Sequence, residues 1–345
     1  MYVLILFLNF KIKMPTEKIL SQINKSLIDY KVDFLPNSMA HPYKYFIENG
    51  GKRVRPLLSI LTTLLTNSST NTDYKTYIDL ANSIELMHTF TLLHDDIMDD
   101  SPLRRGKPTV HIKWNNSTAI LLGDMMIGVA YKKLSKYSHL KQFNKILTVY
   151  NDALIIVCQG QALDIDYNYR NDIYENDYMD MIDKKTANLL KAAIQIGALA
   201  SNTNSDNYQI LSDFATNLGL AFQIQDDYLD LFAKGKDFGK SIGQDLVEGK
   251  KTLMIIKLNE IAEGNDKSII DDFYKKNGCN QDGIQELINL ILKYDIDNYV
   301  KNKFTTLYQK AEQNLEIFIN NNNLQNNIYS IEFKKLLTKI INRNN

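Results

Sequence analysis

Two acidic runs with the same spacing carry the most distinctive chemistry in this sequence. The first contains Asp95, Asp96, Asp99 and Asp100, and the second repeats the pattern Asp-Asp-x-x-Asp at Asp226, Asp227 and Asp230. Each run follows an apolar stretch with helical periodicity. Residues four apart on a helix share a face, so Asp95 and Asp99 are predicted to point the same way. Like charges in that arrangement destabilise a helix unless a cation lies between them.

A divalent cation with oxygen ligands would relieve this repulsion. Mg²⁺ binds carboxylates, keeps several waters and usually takes further ligands from substrate phosphates. A solvated acidic helix end is the alternative interpretation of a single run. The second, matching run favours one metal cluster held from two sides.

Two basic clusters accompany the acidic runs. Lys52, Arg53 and Arg55 follow a glycine pair at a predicted helix start, where backbone N–H groups also favour anions. Arg104 and Arg105 come directly after the first acidic run, and arginine matches phosphate oxygens bidentately. A basic helix start on the surface is the alternative for the first cluster. Together the clusters predict a polyanionic substrate that carries Mg²⁺.

Several other residues are candidates only through their position. His88 lies two helical turns before Asp95 on the same face, although a histidine there is more often a packing residue. A strongly helical segment begins at Asp183 and continues through Ala200. It contains Lys185 and Thr186, for which solvated surface is the default interpretation. A glycine- and lysine-rich loop contains Lys240 but lacks the spacing and preceding strand of a nucleotide-binding P-loop.

Composition limits the remaining possibilities. Forty basic and forty acidic residues balance, so bulk attraction to nucleic acid or an anionic membrane is not indicated. The two cysteines have no metal or redox spacing and fit reduced thiols in a cytoplasmic protein. The apolar N-terminal stretch is shorter than the roughly 20 residues that span a bilayer. We expect residues 1–13 to be a spurious or disordered extension, and residues 14–345 to form one helical domain without a stable membrane anchor.

With these pieces together, the sequence closely resembles the trans-isoprenyl diphosphate synthases, or polyprenyl synthetases. The resemblance covers roughly residues 40–260 and consists of six motifs in the family's order. They are Gly-Gly-Lys-Arg-Val-Arg-Pro, Leu-Leu-His-Asp-Asp-Ile-Met-Asp-Asp with Leu-Arg-Arg-Gly-Lys-Pro-Thr, Gly-Gln-x-x-Asp, Lys-Thr-Ala, Phe-Gln-x-x-Asp-Asp-x-x-Asp and Asp-Leu-x-Glu-Gly-Lys.

The resemblance implies an all-α fold with about ten core helices around a deep central cavity, and a homodimer. It implies head-to-tail condensation of isopentenyl diphosphate onto an allylic diphosphate such as dimethylallyl, geranyl or farnesyl diphosphate. About three Mg²⁺ ions would act in each site, and Mn²⁺ could replace them.

The resemblance also implies roles for individual residues. The expected Mg²⁺ ligands are Asp95, Asp99 and Asp226, assisted by Asp96 and Asp230. The allylic diphosphate would be held by Arg104, Lys185 and Lys240. Isopentenyl diphosphate would be held by Lys52, Arg55, His88 and Arg105. The reacting centre would be lined by Thr186 and Gln223.

Product length depends on the residues just before the first acidic run. In the family, bulky side chains there form the floor of the product tunnel, which makes Phe90 the candidate plug, with Thr91 beside it. On an ideal helix Thr91 lies more directly beneath Asp95, so the role of Phe90 follows from resemblance and not from geometry. We expect geranylgeranyl diphosphate (C20), then farnesyl diphosphate (C15), ahead of longer products; ordinary core packing is the alternative role for Phe90.

Three other classes share some of these features. A class I terpene cyclase has the first acidic motif, but usually carries an Asn/Ser/Glu motif in place of the second and lacks the Lys52/Arg55 cluster. An HD-type phosphohydrolase needs more metal-binding histidines than His94-Asp95 provides. A non-catalytic partner subunit typically loses part of an acidic motif, and here both are intact.

Overall fold

Helices form almost all of the regular structure in the computed structural model, which describes residues 15–32, 35–67, 73–233 and 242–342. The first half contains α1 (Pro15–Ile28), α2 (Asn37–Glu48), α3 (Val54–Thr66), α4 (Ile78–Met98), α5 (Val110–Lys113), α6 (Asn116–Leu134), α7 (Phe143–Tyr167) and α8 (Glu175–Ile182). The second half contains α9 (Asn188–Ala200), α10 (Ser205–Phe232), α11 (Gln244–Val247), α12 (Leu253–Ile261), α13 (Gly264–Lys276), α14 (Gln281–Lys293), α15 (Ile296–Asn321) and α16 (Ile328–Ile341). The predicted all-α fold is confirmed.

Two apolar clusters form the core, and α10 runs through both. The first cluster joins α1, α3, α4, α6 and α9 and includes Phe214 and Leu218 of α10. The second joins the end of α10 to α12, α14 and α15 and includes Ile224 and Leu231. Because both clusters hold this helix, the second acidic motif lies on a rigid support.

Helix α4 is buried around most of its circumference and carries the first acidic motif at its end. It packs against α1, α3, α6 and α9. Among its buried polar side chains, Thr89 donates to the Glu85 carbonyl oxygen at 2.7 Å, and Asn82 donates to the Ile23 carbonyl oxygen of α1 at 3.3 Å. A helix enclosed in this way holds its last turn in a fixed direction.

A short β-hairpin follows α4, where the sequence predicted a basic loop. Strands β1 (Leu103–Arg104) and β2 (Lys107–Pro108) pair antiparallel around Arg105 and Gly106. Both turn residues have positive φ, 53° and 74°, as a two-residue type I′ turn requires. Strands of two residues are too short to give a periodic sequence signal, which explains the difference.

The segment predicted to start an ordinary helix at Asp183 is instead one turn of π-helix, Asp183–Ala187. It packs among α7, α8, α9 and α10. Two glycines allow this close approach: a Cβ on Gly160 would lie 2.6 Å from Lys185 Cα, and one on Gly219 would lie 2.5 Å from Ala187 Cα. Single π turns occur frequently at functional sites.

Candidate active site

The first acidic motif lies in the last turn of α4. The Asp99 N–H donates to the Asp95 carbonyl oxygen at 2.8 Å, so helical geometry continues to the cap residue. Asp95 is partly buried, Asp96 is almost fully buried and Asp99 is exposed. The side chains of Asp95 and Asp99 therefore remain on one face, as predicted.

Asp96 points to a different partner. Arg104 Nε lies 2.8 and 2.9 Å from the two carboxylate oxygens of Asp96, and its Nη2 lies 2.7 Å from Oδ1. The hairpin and the helix end are thus joined by a bidentate ion pair. In this arrangement Asp96 and Arg104 are paired with each other. The predicted contact of Asp96 with Mg²⁺ and that of Arg104 with diphosphate remain predictions.

The carboxyl groups of this motif are held in a poorly hydrated recess. Burial raises the pKa of Asp95 to about 6; nearby Lys185 lowers this pKa and Asp99 raises it further. Loss of hydration also raises the pKa of Asp99, against the effect of Lys185. Asp99 is therefore accessible to solvent, while the atoms around it still disfavour its charged form.

Lys185 lies in the π turn, close to Asp95 and Asp99. Its Nζ donates to Asp164 of α7 at 2.5 Å. Burial alone would lower the pKa of Lys185, but Asp164 and Asp95 keep it above the ordinary lysine value. Lys185 is therefore a charged group. Its partner Asp164 is the last residue of the Gly-Gln-x-x-Asp motif, and the sequence predicted no role for it.

The second acidic motif is tied to the chain that follows it. Asp230 Oδ2 accepts from the Asp245 N–H at 3.1 Å, and its carbonyl oxygen accepts from the Gly243 N–H at 3.0 Å. Lys250 then forms ion pairs with Asp245 at 3.2 Å and with Glu248 at 2.8 Å. Asp226 is exposed on α10. The predicted phosphate ligand Lys240 falls outside the described residues.

A hydrogen-bonded chain lies beneath this motif. Thr186 Oγ1 donates to Gln223 Oε1 at 2.8 Å, and Gln223 Nε2 donates to Asp227 Oδ1 at 2.7 Å. Tyr178 O–H donates to Asp227 Oδ2, also at 2.7 Å. Burial raises the pKa of Asp227 and Asp245 contributes in the same direction, whereas the hydrogen bonds from Tyr178 and Gln223 lower it. Thr186 and Gln223 are thus brought together as predicted, whereas Tyr178 and Asp227 were given no role.

A second cationic group surrounds His88, two helical turns before Asp95 on α4. Arg55 Nη1 lies 3.1 Å from His88 Nε2, so the imidazole accepts there and carries its proton on Nδ1, 3.9 Å from Glu85 Oε2. Burial and Arg55 lower the pKa of His88 to about 4, which keeps it neutral. Glu85 also accepts from Arg53 Nη1 at 2.8 Å. Arg53, a member of the predicted phosphate cluster, is buried and serves this internal pair.

Arg105 joins this group through the glycine pair. A Cβ on Gly51 would lie 3.0 Å from an Arg105 guanidinium nitrogen, so the absence of a side chain makes room for it. Burial, followed by repulsion from Arg104, lowers the pKa of Arg105. The exposed Lys52 is adjacent in sequence. The structure therefore gathers Arg55, His88 and Arg105 as predicted, near the loop that carries Lys52.

The candidate chain-length residues lie one turn before the acidic motif. Phe90 is 8% exposed, and its ring packs edge-on against His94 at 4.8 Å between centroids. His94 fits against α6 because a Cβ on Gly123 would lie 2.8 Å from its Cδ2. Thr91 Oγ1 donates to the His88 carbonyl oxygen at 2.8 Å.

The donor set of the two motifs suits a hard cation shared with a ligand. Asp95, Asp99 and Asp226 supply only carboxylate oxygens, which favour Mg²⁺ or Mn²⁺ over softer metals. Among the described residues, no three His, Cys, Asp or Glu side chains form a group that could hold an ion. The pKa of Asp99 also responds to Lys250, which links the two motifs electrostatically. A cation between them would need water and phosphate oxygens as further ligands.

Known proteins with similar sequence and structure agree on one family. The family model described as polyprenyl synthetase matches residues 36–291. A geranylgeranyl diphosphate synthase of Sulfolobus acidocaldarius is 36% identical over 86% of this chain and 89% of its own length. A short chain isoprenyl diphosphate synthase of Methanocaldococcus jannaschii is 38% identical over 80% of this chain and 82% of its own. The crystal structure of a geranylgeranyl pyrophosphate synthetase from Pyrococcus horikoshii superposes with a TM-score of 0.82 at 31% identity, covering 95% of this chain and 98% of the other. The chain belongs to the polyprenyl synthetase family.

Proposed function

We propose that this protein is a short-chain trans-prenyltransferase that condenses isopentenyl diphosphate with an allylic diphosphate and releases geranylgeranyl diphosphate. The observation that carries this proposal is charged Lys185 beside Asp95 and Asp99. Lys250 acts on Asp99 and pairs with Asp245, whose N–H donates to Asp230 of the second motif. Arg55, His88 and Arg105 form a second cationic group. The names of the similar proteins support the same reaction and a short product.

The reaction needs charge stabilisation more than a protein nucleophile. The allylic C1–O bond breaks, and its electron pair leaves with the diphosphate oxygen. The double bond of isopentenyl diphosphate then attacks C1 to form the new C–C bond, and a proton leaves the adjacent carbon for the departing diphosphate. Fixed cations around the leaving group stabilise the charge that develops on it.

The residues divide between the two diphosphates. Asp95, Asp99 and Asp226 would hold Mg²⁺, which when bound neutralises the allylic diphosphate and favours its departure. Lys185 lies beside them to bind the same group. The second cationic group, which comprises Lys52, Arg55, His88 and Arg105, would bind isopentenyl diphosphate. His88 stays neutral and accepts from Arg55 Nη1 at 3.1 Å, so it adds no charge of its own to this group.

Phe90 is proposed to limit the product to C20. Phe90 lies on the same helix as the first acidic motif, and its bulky ring packs against His94. Removing it would open space one helical turn before Asp95. The farnesyl product (C15) is the second candidate, and longer products would require this position to be open.

We further propose a cytoplasmic homodimer. By length and composition α7 could cross a bilayer, and 33% of its most apolar stretch is buried in this chain. However, α7 also packs against the π turn and α9, and it supplies Asp164 to Lys185. Its exposed Ile155, and Leu121 on α6, fit burial against a second copy better than a membrane. Light scattering on the purified protein would test the dimer, and a monomer would contradict it.

A product assay tests the function directly. Purified protein is incubated with Mg²⁺, labelled isopentenyl diphosphate and, separately, dimethylallyl, geranyl and farnesyl diphosphates, and the products are dephosphorylated and sized. A C20 prenol is expected, and chains well beyond C20 would contradict the short-chain assignment. If folded protein elongates no primer, the cyclase and partner-subunit classes would replace the synthase.

Variants of the acidic motifs connect the activity to the site. Asp95→Ala and Asp226→Ala should each nearly abolish turnover with helix content unchanged. Asp213→Ala is the matched control, because Asp213 is an exposed carboxylate on the same helix as Asp226. Near-normal turnover in either motif variant would exclude the proposed metal site. For product length, Phe90→Ala should give longer prenols, and an unchanged product would remove Phe90 from that role.

A further inference from the structure

The hydrogen-bonded chain below the second acidic motif has a defined direction. It runs from Thr186 in the π turn to Gln223 and Asp227 on α10, and ends at Tyr178 on α8. Tyr178 is 1% exposed, and its O–H takes one oxygen of Asp227 while the Gln223 amide N–H takes the other. Both oxygens of Asp227 are therefore used as acceptors.

This arrangement fixes how the Gln223 amide is turned. Its NH₂ group faces Asp227, so its carbonyl oxygen faces Thr186. The Thr186 hydroxyl must then donate its single hydrogen to that carbonyl oxygen. Its remaining lone pairs are directed away from Gln223.

The position of Thr186 gives those lone pairs a use. Thr186 follows Lys185, which is charged and lies close enough to Asp95 to change the pKa of that carboxyl. We propose that Tyr178 is a positioning residue, which through Asp227 and Gln223 keeps the lone pairs of Thr186 directed at the allylic carbon that becomes positive when its diphosphate leaves. This inference rests on the proposed function, because it concerns the cation that forms during prenyl transfer.

The physical reason is the sign of the dipole that the reacting carbon meets. A hydroxyl that presents its oxygen stabilises a developing cation, whereas one that presents its hydrogen opposes it. Without the Tyr178 O–H, the Asp227 carboxyl group loses one of the two hydrogen-bond donors that fix its orientation. The Gln223 amide can then turn over, and Thr186 would accept from NH₂ and direct its hydrogen outward.

Tyr178→Phe tests this directly, because it keeps the ring and removes only the O–H. We expect kcat for C20 formation to fall roughly tenfold, which corresponds to about 1.4 kcal/mol in barrier height, with both KM values within about twofold of wild type. Tyr150→Phe is the matched control. Tyr150 is equally buried, and its O–H donates to the Ser83 carbonyl oxygen at 3.0 Å, outside this chain of hydrogen bonds. The two variants should lose similar thermal stability, and only Tyr178→Phe should lose kcat.

A double-mutant cycle separates positioning from a structural effect. In a Thr186→Val background there is no hydroxyl to orient, so adding Tyr178→Phe should change kcat by less than about twofold. An unchanged kcat in Tyr178→Phe, an equal loss in Tyr150→Phe, or full additivity in the cycle would each overturn the inference. If wild-type protein forms no prenyl product, the proposed function fails and the inference fails with it.

Discussion

Gly160→Ala should impair activity far more than stability. The added Cβ would lie 2.6 Å from Lys185 Cα and 2.7 Å from the Lys184 carbonyl carbon. Carbon atoms normally approach to about 3.5–4.0 Å, so the π turn must retreat by roughly 1 Å. That turn carries both Lys185 and Thr186, so both leave their positions together.

The change in stability combines two opposing effects. Overpacking of this kind costs about 1–3 kcal/mol. Alanine in a helix is favoured over glycine by up to about 1 kcal/mol. The net loss should be at most about 2 kcal/mol, which lowers the Tm of a chain of this length by roughly 3 °C. By contrast, a displacement of about 1 Å at a reacting centre can reduce turnover by roughly 100-fold.

The measurements are thermal unfolding and steady-state C20 formation on the same preparations. Gly128→Ala is the control, because a Cβ on Gly128 of α6 would meet no atom within 4 Å. It should be as stable as wild type or slightly more stable, with full turnover. Size-exclusion chromatography should give the same oligomeric state for every variant. This check is needed because Gly128 is exposed on the same face of α6 as Leu121, which is proposed to contact a second copy.

A second variant approaches the π turn from the other side. Gly219→Ala would place its Cβ 2.5 Å from Ala187 Cα and should also reduce turnover more than stability. If Gly160→Ala retained turnover within about twofold of wild type, the close approach of α7 would not determine where Lys185 and Thr186 lie.

Three further predictions concern charged groups that support the fold. Arg53→Met should destabilise the protein by about 3 kcal/mol or more in denaturant unfolding, because it leaves Glu85 buried without this partner, and changing both residues to Met should recover most of the loss. Burial alone would raise the pKa of Glu175, but hydrogen bonds that include Lys257 lower it to about 2. The Tm of wild type should therefore exceed that of Glu175→Gln by its full amount at pH 7, and this difference should shrink as the pH falls from 4.5 towards 2. Burial lowers the pKa of Lys251 to about 8, below its value in the unfolded chain. The Tm of wild type should therefore rise relative to the Tm of Lys251→Met as the pH increases from 8 to 10.5.

The sequence predicted the helices that carry the acidic motifs because their apolar periodicity is long and regular. The family and the all-α fold are both confirmed. The π turn at Asp183–Ala187 was not predicted, because one extra residue in a single turn hardly changes the periodic pattern. Its cause lies in distant residues, since Gly160 and Gly219 leave the space that it fills.

The partners of individual charges were also beyond the sequence. Three cations at Lys52, Arg53 and Arg55 were interpreted together, yet Arg53 turns inward to Glu85 while Lys52 remains exposed. Arg53 has a φ of 48°, in the left-handed region, at the residue before α3. The direction of its side chain depends on that local turn and on a carboxylate 32 residues away, and neither is visible in a run of basic residues.

The two acidic motifs share one feature that helix geometry explains. Consecutive residues on an α-helix point about 100° apart, so the second aspartate of Asp-Asp-x-x-Asp cannot share the face of the first. In the first motif Asp96 turns to Arg104, and in the second Asp227 turns to Tyr178 and Gln223. The second aspartate in each case contacts a neighbouring side chain, while in the first motif Asp95 and Asp99 share the face that is proposed to hold a cation. In this pattern we therefore expect one carboxylate to bind the proposed cation, while the next carboxylate positions a side chain of the protein.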